Sequence, residues 1–292
     1  MFRTWLLMAV FLAIVVAAGW ALSLYFNNTS VLMVALGFAL VSNVGAYWFS
    51  DKIAIASVGA HPADEGQYKE LHRIVENLAI TAGLPKPRVY IIEDPAPNAF
   101  ATGRDKQHAV IAVTTGLLNM MERSELEGVI AHELSHVGNR DILVMTVAVV
   151  LVGFISALAN IALRMSYFGG DRRDKNAGPL IAIAVLCAMI LAPIAAQLIQ
   201  LAISRKREFL ADADGALLTR YPEGLASALM KIGKYEAPMQ RASTTTAHLF
   251  ISNPFGSHPA GAWIQNLFST HPPIPQRIAA LQGMHSEGEQ PV

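Results

Sequence analysis

Cysteine is almost missing from this chain of 292 residues, with Cys187 the single example. Without a second thiol there is no intrachain disulfide and no zinc cluster built on thiolates, which fits a reducing compartment. Charge is scarce as well. Asp, Glu, Lys and Arg make up 15% of the residues, against about 25% in soluble domains. The 22 basic and 22 acidic side chains cancel, so no basic excess exists to attract nucleic acid, and no nucleic-acid partner is expected. The shortage is also uneven. No charge occurs from Trp5 to Phe26, Val31 to Ser50, Leu143 to Leu163 or Pro179 to Ser204.

Each of these runs holds about 20 residues or more, enough to cross roughly 30 Å of hydrocarbon as a helix. The first is too long for the apolar core of a cleaved signal peptide, and a second run follows closely. The spacing predicts four transmembrane helices in two hairpins, and so a lipid bilayer as partner. For the third and fourth runs the alternative is a helical hairpin buried in a soluble fold. Arg3 precedes the first run, Lys52 follows the second and Arg205-Lys206-Arg207 follows the fourth, whereas the loop Asn27–Ser30 is uncharged. This asymmetry predicts cytoplasmic termini. The segment between runs three and four, with Arg164, Arg172, Arg173 and Lys175 beside Asp171 and Asp174, conflicts mildly. An even number of crossings nevertheless leaves residues 52–141 and 205–292 on one side. The expected division is a membrane hairpin over 1–50 (spans 5–26 and 31–50) and a first water-facing part over 51–141. A second hairpin follows over 142–204 (spans 143–163 and 179–204), then a second water-facing part over 205–285 and a polar, disordered tail over 286–292.

Within the first water-facing part, His132-Glu133-Leu134-Ser135-His136 reads H-E-x-x-H. On a helix, positions i and i+4 share a face, so both imidazoles can reach one metal ion. Zn²⁺ suits imidazole nitrogen. Glu133 lies about 100° further round the axis, where its carboxylate can take a proton from a bound water. Leu126, Val129, Ile130, Leu134 and Val137 recur near helical spacing. Ser124-Glu125-Leu126-Glu127 has the form of a capping box, and Gly138 is placed to cap the C-terminus.

The remaining water-facing sequence reads as α+β, mainly helical. Residues 64–82 form an amphipathic helix with Leu71, Ile74, Val75, Leu78 and Ala79 on one face and Gly83 at its end. Val89–Ile92 reads as a short buried strand, Asn98–Gly103 as a second and Ala109–Val113 as a third, with Gly103 and the turn Arg104–Gln107 suited to a hairpin. A free edge on this small sheet can clamp an extended polypeptide by strand addition; an ordinary sheet supporting the metal helix reads equally well.

A catalytic zinc needs a third protein ligand. After the fourth run, Glu208 and Asp212 stand at i and i+4 and share a helix face. Glu208 can ligate while Asp212 accepts a hydrogen bond from the far nitrogen of a ligating histidine. Spacing alone does not separate this from a solvated helix end.

Together, HELSH at 132–136 and REFLAD at 207–212 resemble the HtpX family of membrane zinc metalloproteases, gluzincins related to the Ste24 prenyl-protein proteases. Asn98-Ala99-Phe100-Ala101-Thr102-Gly103 resembles that family's N-A-F-A-x-G segment. Ser269-Thr270-His271-Pro272-Pro273 with Arg277-Ile278 resembles its S-T-H-P-P…R-I element. The likeness runs from the first span to about Leu281. It implies a gluzincin-type domain with a small β-sheet and four transmembrane helices. It implies one zinc held by His132, His136 and Glu208, Glu133 as general base, and a cytoplasm-facing site in the bacterial inner membrane. It further implies polypeptide or membrane-protein substrates, membrane quality-control partners, and a role in stress.

The chemistry then needs an electrophile for the tetrahedral oxyanion. His271, on a Pro-rich segment, is the candidate, and Arg277 the alternative. Asn98, Ala99, Phe100 and Ala101 are the candidate substrate-binding strand. His61, His72, His108, His248, His258 and His285 have no ligand partner at useful spacing and read as surface or loop residues. Asp141 reads either as an anchor for the third span or as a partner of a metal-site histidine. An inactive membrane-protein-binding scaffold is the alternative function, against which the intact Glu133 speaks. A metal-regulated transporter is a third, against which the absence of ionisable residues within the spans speaks.

Overall fold

The computed structural model describes residues 2–25, 27–168, 205–243, 246–255 and 272–288. The fourth expected span, His258 and His271 lie outside them, as does the charged segment at 171–175.

The first two uncharged runs form an antiparallel helical hairpin, α1 (Phe2–Tyr25) and α2 (Thr29–Ser57). Asn28 caps α2 by accepting the Ser30 N–H on its side chain. Both helices are long and apolar enough to cross a membrane, α1 over Thr4–Leu24. Gly19 lets them approach, since a Cβ there would lie 2.2 Å from that of Ala35. Helix α2 does not stop at Ser50, where the uncharged run ends. It continues to Ser57, and its last turns enter the water-facing part, where Ala54 packs in one core with Val58, Ile92, Phe100, Leu249 and Phe250.

The sheet has four strands, β1 (His61–Pro62), β2 (Arg88–Ile92), β3 (Ala99–Thr102) and β4 (Val110–Thr114), in the order β1-β2-β4-β3. Strands β2 and β4 are parallel, and β3 pairs antiparallel with β4 in the register Ala99↔Val113 to Thr102↔Val110. Gly103, at φ +141, turns β3 toward β4; a side chain there would meet the His108 carbonyl at 2.6 Å. Strand β1, two residues long, is too short to leave a periodic signature. Between β1 and β2 lies α3 (Lys69–Thr81), shorter than the 64–82 expected. Residues 64–67 are instead a turn, because the Asp64 carboxylate accepts the N–H groups of Gly66 and Gln67 and draws the backbone out of the helix. Gly83 ends α3 at φ +64, as expected.

After the short α4 (Thr115–Met120) comes α5 (Arg123–Gly138), which carries the H-E-x-x-H residues. Its cap differs from the expected S-x-x-E. The N-cap is Glu122, whose N–H donates to Glu125 Oε2 at 2.8 Å. Burial decides this register: Glu125 is drawn inward by Ser227 Oγ and Lys231 Nζ, each at 2.6 Å. The far end differs too. Gly138 is the last helical residue, and Arg140 takes the left-handed conformation at φ +60, which costs about 1–2 kcal/mol for a side chain with a Cβ. The chain then turns by 86° into α6 (Asp141–Phe168).

Helix α6 contains the third uncharged run, but its first half is not a free membrane span. Residues from Ile142 to Val152 are buried, against α1 and α2 on one side and the sheet on the other. The Thr146 hydroxyl meets that of Thr102 on β3 at 2.9 Å. Among the described residues, α1 and α2 are the helices that qualify as spans alone; α5 with Asp141–Ile155 qualifies only as a bent pair. The fold is thus mainly helical with a small mixed sheet and two apolar N-terminal helices.

Three further helices follow among the described residues: α7 (Arg205–Thr219), α8 (Pro222–Lys234) and α9 (Ile274–Gly288). Helix α5 lies between α3 on one side and α7 and α8 on the other, with α9 packed on α7 and α8. The central core joins Leu126, Val129, Ile130, Leu134 and Val137 of α5 to Leu71, Val75, Ile111, Leu225 and Leu229.

Candidate metal centre

The helical spacing of His132 and His136 places both imidazoles on the face of α5 that meets α7. A glycine makes that contact close: a Cβ on Gly215 of α7 would lie 3.0 Å from the His132 backbone N. Gly128 does the same where α5 meets α8, since a Cβ there would lie 2.7 Å from the Leu225 backbone N. Helix α7 then brings Glu208 over both rings. His132 Nε2 lies 3.8 Å from Glu208 Oε2, and His136 Nε2 lies 3.5 Å from Glu208 Oε1. All three side chains are buried, and the donor atoms lie within 4.8 Å of one another. Two ligands about 2.05 Å from a tetrahedral zinc stand roughly 3.3 Å apart. The two histidine-to-Glu208 distances lie within about half an ångström of that separation, and the nitrogen and oxygen donors suit zinc.

The far nitrogens of both rings face carboxylates. His132 Nδ1 donates to Asp212 Oδ1 at 2.9 Å, and His136 Nδ1 lies 3.5 Å from Asp141 Oδ2. Each contact turns the ring so that Nε2 points to the common centre. Asp212 thus stands where its spacing from Glu208 placed it. Asp141, for which two readings were open, serves both: it opens α6 and also touches His136. It is held from the other side by Arg207, Nε to Oδ1 at 3.3 Å.

Arg277 of α9 is fully buried, and its guanidinium is occupied. Nε and Nη2 donate to the two oxygens of Asp212 at 2.8 and 2.6 Å, and Nη1 donates to the Ile251 carbonyl at 2.9 Å. Arg277 therefore meets the cluster mainly through Asp212, and its Nη2 also lies 3.4 Å from His132 Nδ1. A lone arginine after a Pro-rich stretch carries no sign of this pairing in the sequence, since 65 residues separate the partners.

Burial tunes each group. It raises Glu133, with the charge of Glu208 adding and that of His136 opposing, to about 7. It lowers His132 to about 4 despite the bond to Asp212. Burial would lower His136 also, but its hydrogen bond to Asp141 and the charges of Glu208 and Glu133 outweigh it and push the ring up to about 9. Asp212 is held at about 2, because bonds from Arg277 and His132 outweigh its burial. Glu133 also accepts the Ala101 backbone N–H, which ties β3 to α5.

That bond bears on the candidate substrate strand. Strand β3 is an edge of the sheet, but its outer side is partly spoken for. The Ile251 N–H donates to the Ala99 carbonyl at 2.9 Å. The Asn98 side chain donates to the Ser252 carbonyl at 3.2 Å and accepts the Ala99 N–H at 3.2 Å. All four residues from Asn98 to Ala101 are buried, and buried backbone groups find partners. Asn98 clamps the 250–252 segment. His248 also differs from expectation: the 3₁₀ turn Ala247–Leu249 carries Leu249 and Phe250 into the core, and His248 is buried with them.

Comparisons with known proteins agree with this geometry. A sequence model of peptidase family M48 matches residues 65–285. A protease HtpX homolog of Caldanaerobacter subterraneus is 50% identical over 289 residues, covering 97% of this chain and 94% of its own. Another, from Pyrococcus furiosus, is 48% identical over 288 residues, covering 98% and 96%. The crystal structure of S. mikatae Ste24p superimposes with a TM-score of 0.51 at 21% identity, over 94% of this chain and 62% of that one. At that identity the likeness is one of fold.

Proposed function

The chain belongs to peptidase family M48 and is a membrane metalloprotease that hydrolyses peptide bonds, and from that premise we infer that it is a zinc endopeptidase acting on membrane proteins. The observation that carries this reading is the convergence of His132 Nε2, His136 Nε2 and the Glu208 carboxylate around one point in the buried interior. These three would hold the ion. Zinc supplies Lewis acidity toward a water and toward the scissile carbonyl oxygen.

The chain's own residues do the rest. Glu133, raised toward neutrality by burial, takes the proton of the attacking water and hands it to the leaving amine. Asp212 fixes the His132 ring, and Arg277 fixes Asp212. With Arg277 turned toward Asp212 and the Ile251 carbonyl, His271 is the group taken to steady the oxyanion. With both Ala99 backbone groups engaged by Ile251 and Asn98, it is the Ala101 carbonyl of β3 that is offered to an extended substrate.

In this reading, misfolded or damaged polypeptides of the bacterial inner membrane are cut in their cytoplasmic segments, as quality control under stress. Both termini and the site lie in the cytoplasm, between two membrane hairpins divided as the uncharged runs suggest. Accessibility labelling of single cysteines at Asn28, Asp174 and Gln290, in a Cys187→Ala background, checks that arrangement.

The test of function is metal analysis combined with cleavage of a fluorogenic peptide. Glu133→Gln is expected to lose at least about a hundredfold in kcat while keeping one zinc. His132→Ala and Glu208→Ala are expected to lose both metal and activity. Wild-type cleavage by Glu133→Gln would refute the mechanism.

A further inference from the structure

A second polar cavity lies away from the metal, where α2 leaves the apolar hairpin. Its volume is about 500 Å³, and its lining includes Trp48, Asp51, Lys52, Arg88, Arg104 and His108. Aromatic side chains fix its level relative to the bilayer. Trp5, near the start of α1, stacks on Tyr47 of α2 with centroids 6.1 Å apart, and Tyr47 meets Trp48 edge-on at 5.3 Å. Trp5, Trp48 and Phe49 are each more than half exposed, as is Trp20 toward the other end of α1. Fifteen residues separate Trp5 from Trp20, a rise of roughly 22 Å, close to the thickness of hydrocarbon that aromatic belts bracket. The cavity opens one turn beyond the Trp48 belt, at the depth of lipid headgroups.

Its charges are arranged for an anion. Arg88 is neutralised by Asp51 at 2.7 Å. Lys52 lies 5.7 Å from the Phe49 ring, and among the described residues no carboxylate reaches it. The Arg104 guanidinium lies 5.1 Å from the Trp48 ring centroid. A short relay holds it there: Arg104 Nη2 donates to His108 Nε2 at 2.6 Å, and His108 Nδ1 donates to Asp105 Oδ1 at 2.6 Å. Among the described residues Asp105 is the acidic group that reaches it, 3.5 Å from Arg104 Nε, and its carboxylate is shared with His108 and the Gln107 and His108 N–H groups. Lys52 thus supplies uncompensated positive charge and Arg104 a cation only partly offset by Asp105, beside the Phe49 and Trp48 rings at the membrane surface.

We propose that this cavity binds the phosphate of an anionic phospholipid headgroup and so pins the β3–β4 turn to the membrane. The proposal rests on α1 and α2 lying across the bilayer, but not on the proteolytic chemistry. Because β3 carries Ala101, whose N–H holds Glu133, the pinned turn sets the catalytic sheet against the bilayer.

Native mass spectrometry of the full-length protein in detergent tests it, with titrations of phosphatidylglycerol, phosphatidylcholine and inorganic phosphate. One phosphatidylglycerol is expected to bind at least tenfold more tightly than phosphatidylcholine. Lys52→Gln and Arg104→Gln should each weaken it about fivefold, and together about thirtyfold. Arg123→Gln, an exposed arginine on α5, should leave it unchanged. Both cavity variants should cleave a soluble peptide at the wild-type rate in pure detergent, which separates this test from that of the metal site. Should Arg104→Gln fail to fold, Lys52→Gln, on an exposed turn of α2, carries the test alone. Equal affinity for the two lipids, or variants within twofold of wild type, overturns the proposal. Displacement of the lipid by equimolar inorganic phosphate overturns it also, since the occupant is then a soluble phosphate.

Discussion

Replacing Arg277 by Met while leaving Asp212 intact strands a carboxylate in the interior. The two residues are 0% and 2% exposed and joined by hydrogen bonds of 2.6 and 2.8 Å. Removing one partner of such a pair costs about 3–5 kcal/mol, whereas removing both and filling the volume with apolar groups is close to neutral. In a chain of this size each kcal/mol moves the melting temperature by roughly 2–4 °C. Arg277→Met should therefore melt roughly 6–20 °C below wild type, and Asp212→Asn by a similar amount. The double variant Asp212→Leu/Arg277→Met should recover most of the loss. Metal affinity should not follow stability: Asp212→Asn loses the charged acceptor for His132 Nδ1 and the double variant loses the acceptor altogether, and zinc should bind about 10–100-fold more weakly in both. Arg277→Met keeps that acceptor and should bind zinc nearly as wild type does. The measurement is thermal unfolding of metal-free protein in detergent, because bound metal would add its own stabilisation, together with a competitive zinc titration. Additive losses in the double variant, or single variants within about 2 °C of wild type, would show that Arg277 does not serve as the countercharge of Asp212.

Metal affinity should depend on pH with a definite sign. The His136 ring is raised to about 9 in the metal-free fold, so between its ordinary value and 9 a proton must leave before the metal can bind. Zinc affinity should rise about tenfold per pH unit through this window and level off above it, as isothermal titration in buffers of differing ionisation heat would show. The same raised value stabilises the metal-free fold fully below pH 6.5, and that stability is lost as pH climbs through 9. Asp141→Asn should weaken zinc less than Asp212→Asn, because its contact with the ring is 3.5 Å rather than 2.9 Å; a larger effect would contradict this ranking. Gly215→Ala should displace α7 from α5, since the added Cβ would lie 3.0 Å from backbone, and zinc content after purification should fall. Asn98→Ala leaves the buried Ser252 carbonyl without its donor, at about 1–3 kcal/mol, visible as a melting temperature lowered by several degrees.

What could be read from the chain follows the range of the interactions concerned. His132 and His136 were legible because i and i+4 spacing is itself a statement of geometry, and the α5 periodicity confirmed their helix. Glu208 and Asp212 shared a legible face, but which histidine each met depended on how α7 crosses α5. That crossing is set at Gly215, whose role is invisible until the neighbour is known. The Arg277–Asp212 pair and the Asn98 clamp join residues far apart in the sequence, so no local pattern marks them. The cap of α5 departs from the local motif: Ser124 satisfies S-x-x-E, but the half-buried Lys231 and Ser227 select Glu125 for the inner role. The uncharged run in α6 was likewise visible, yet composition cannot distinguish hydrocarbon from a protein interior as its surroundings.

The right-angled corner at Arg140 makes α6 a lever. Its 28 residues form an arm of roughly 42 Å, and the short end of that arm is Asp141, in contact with an imidazole of the metal cluster. A tilt of the arm by a few degrees becomes a shift of tenths of an ångström at the carboxylate, the scale on which a ligand's orientation is decided. Whatever displaces the far half of that arm is thereby felt at a buried imidazole, with no chemical contact of its own to the cluster.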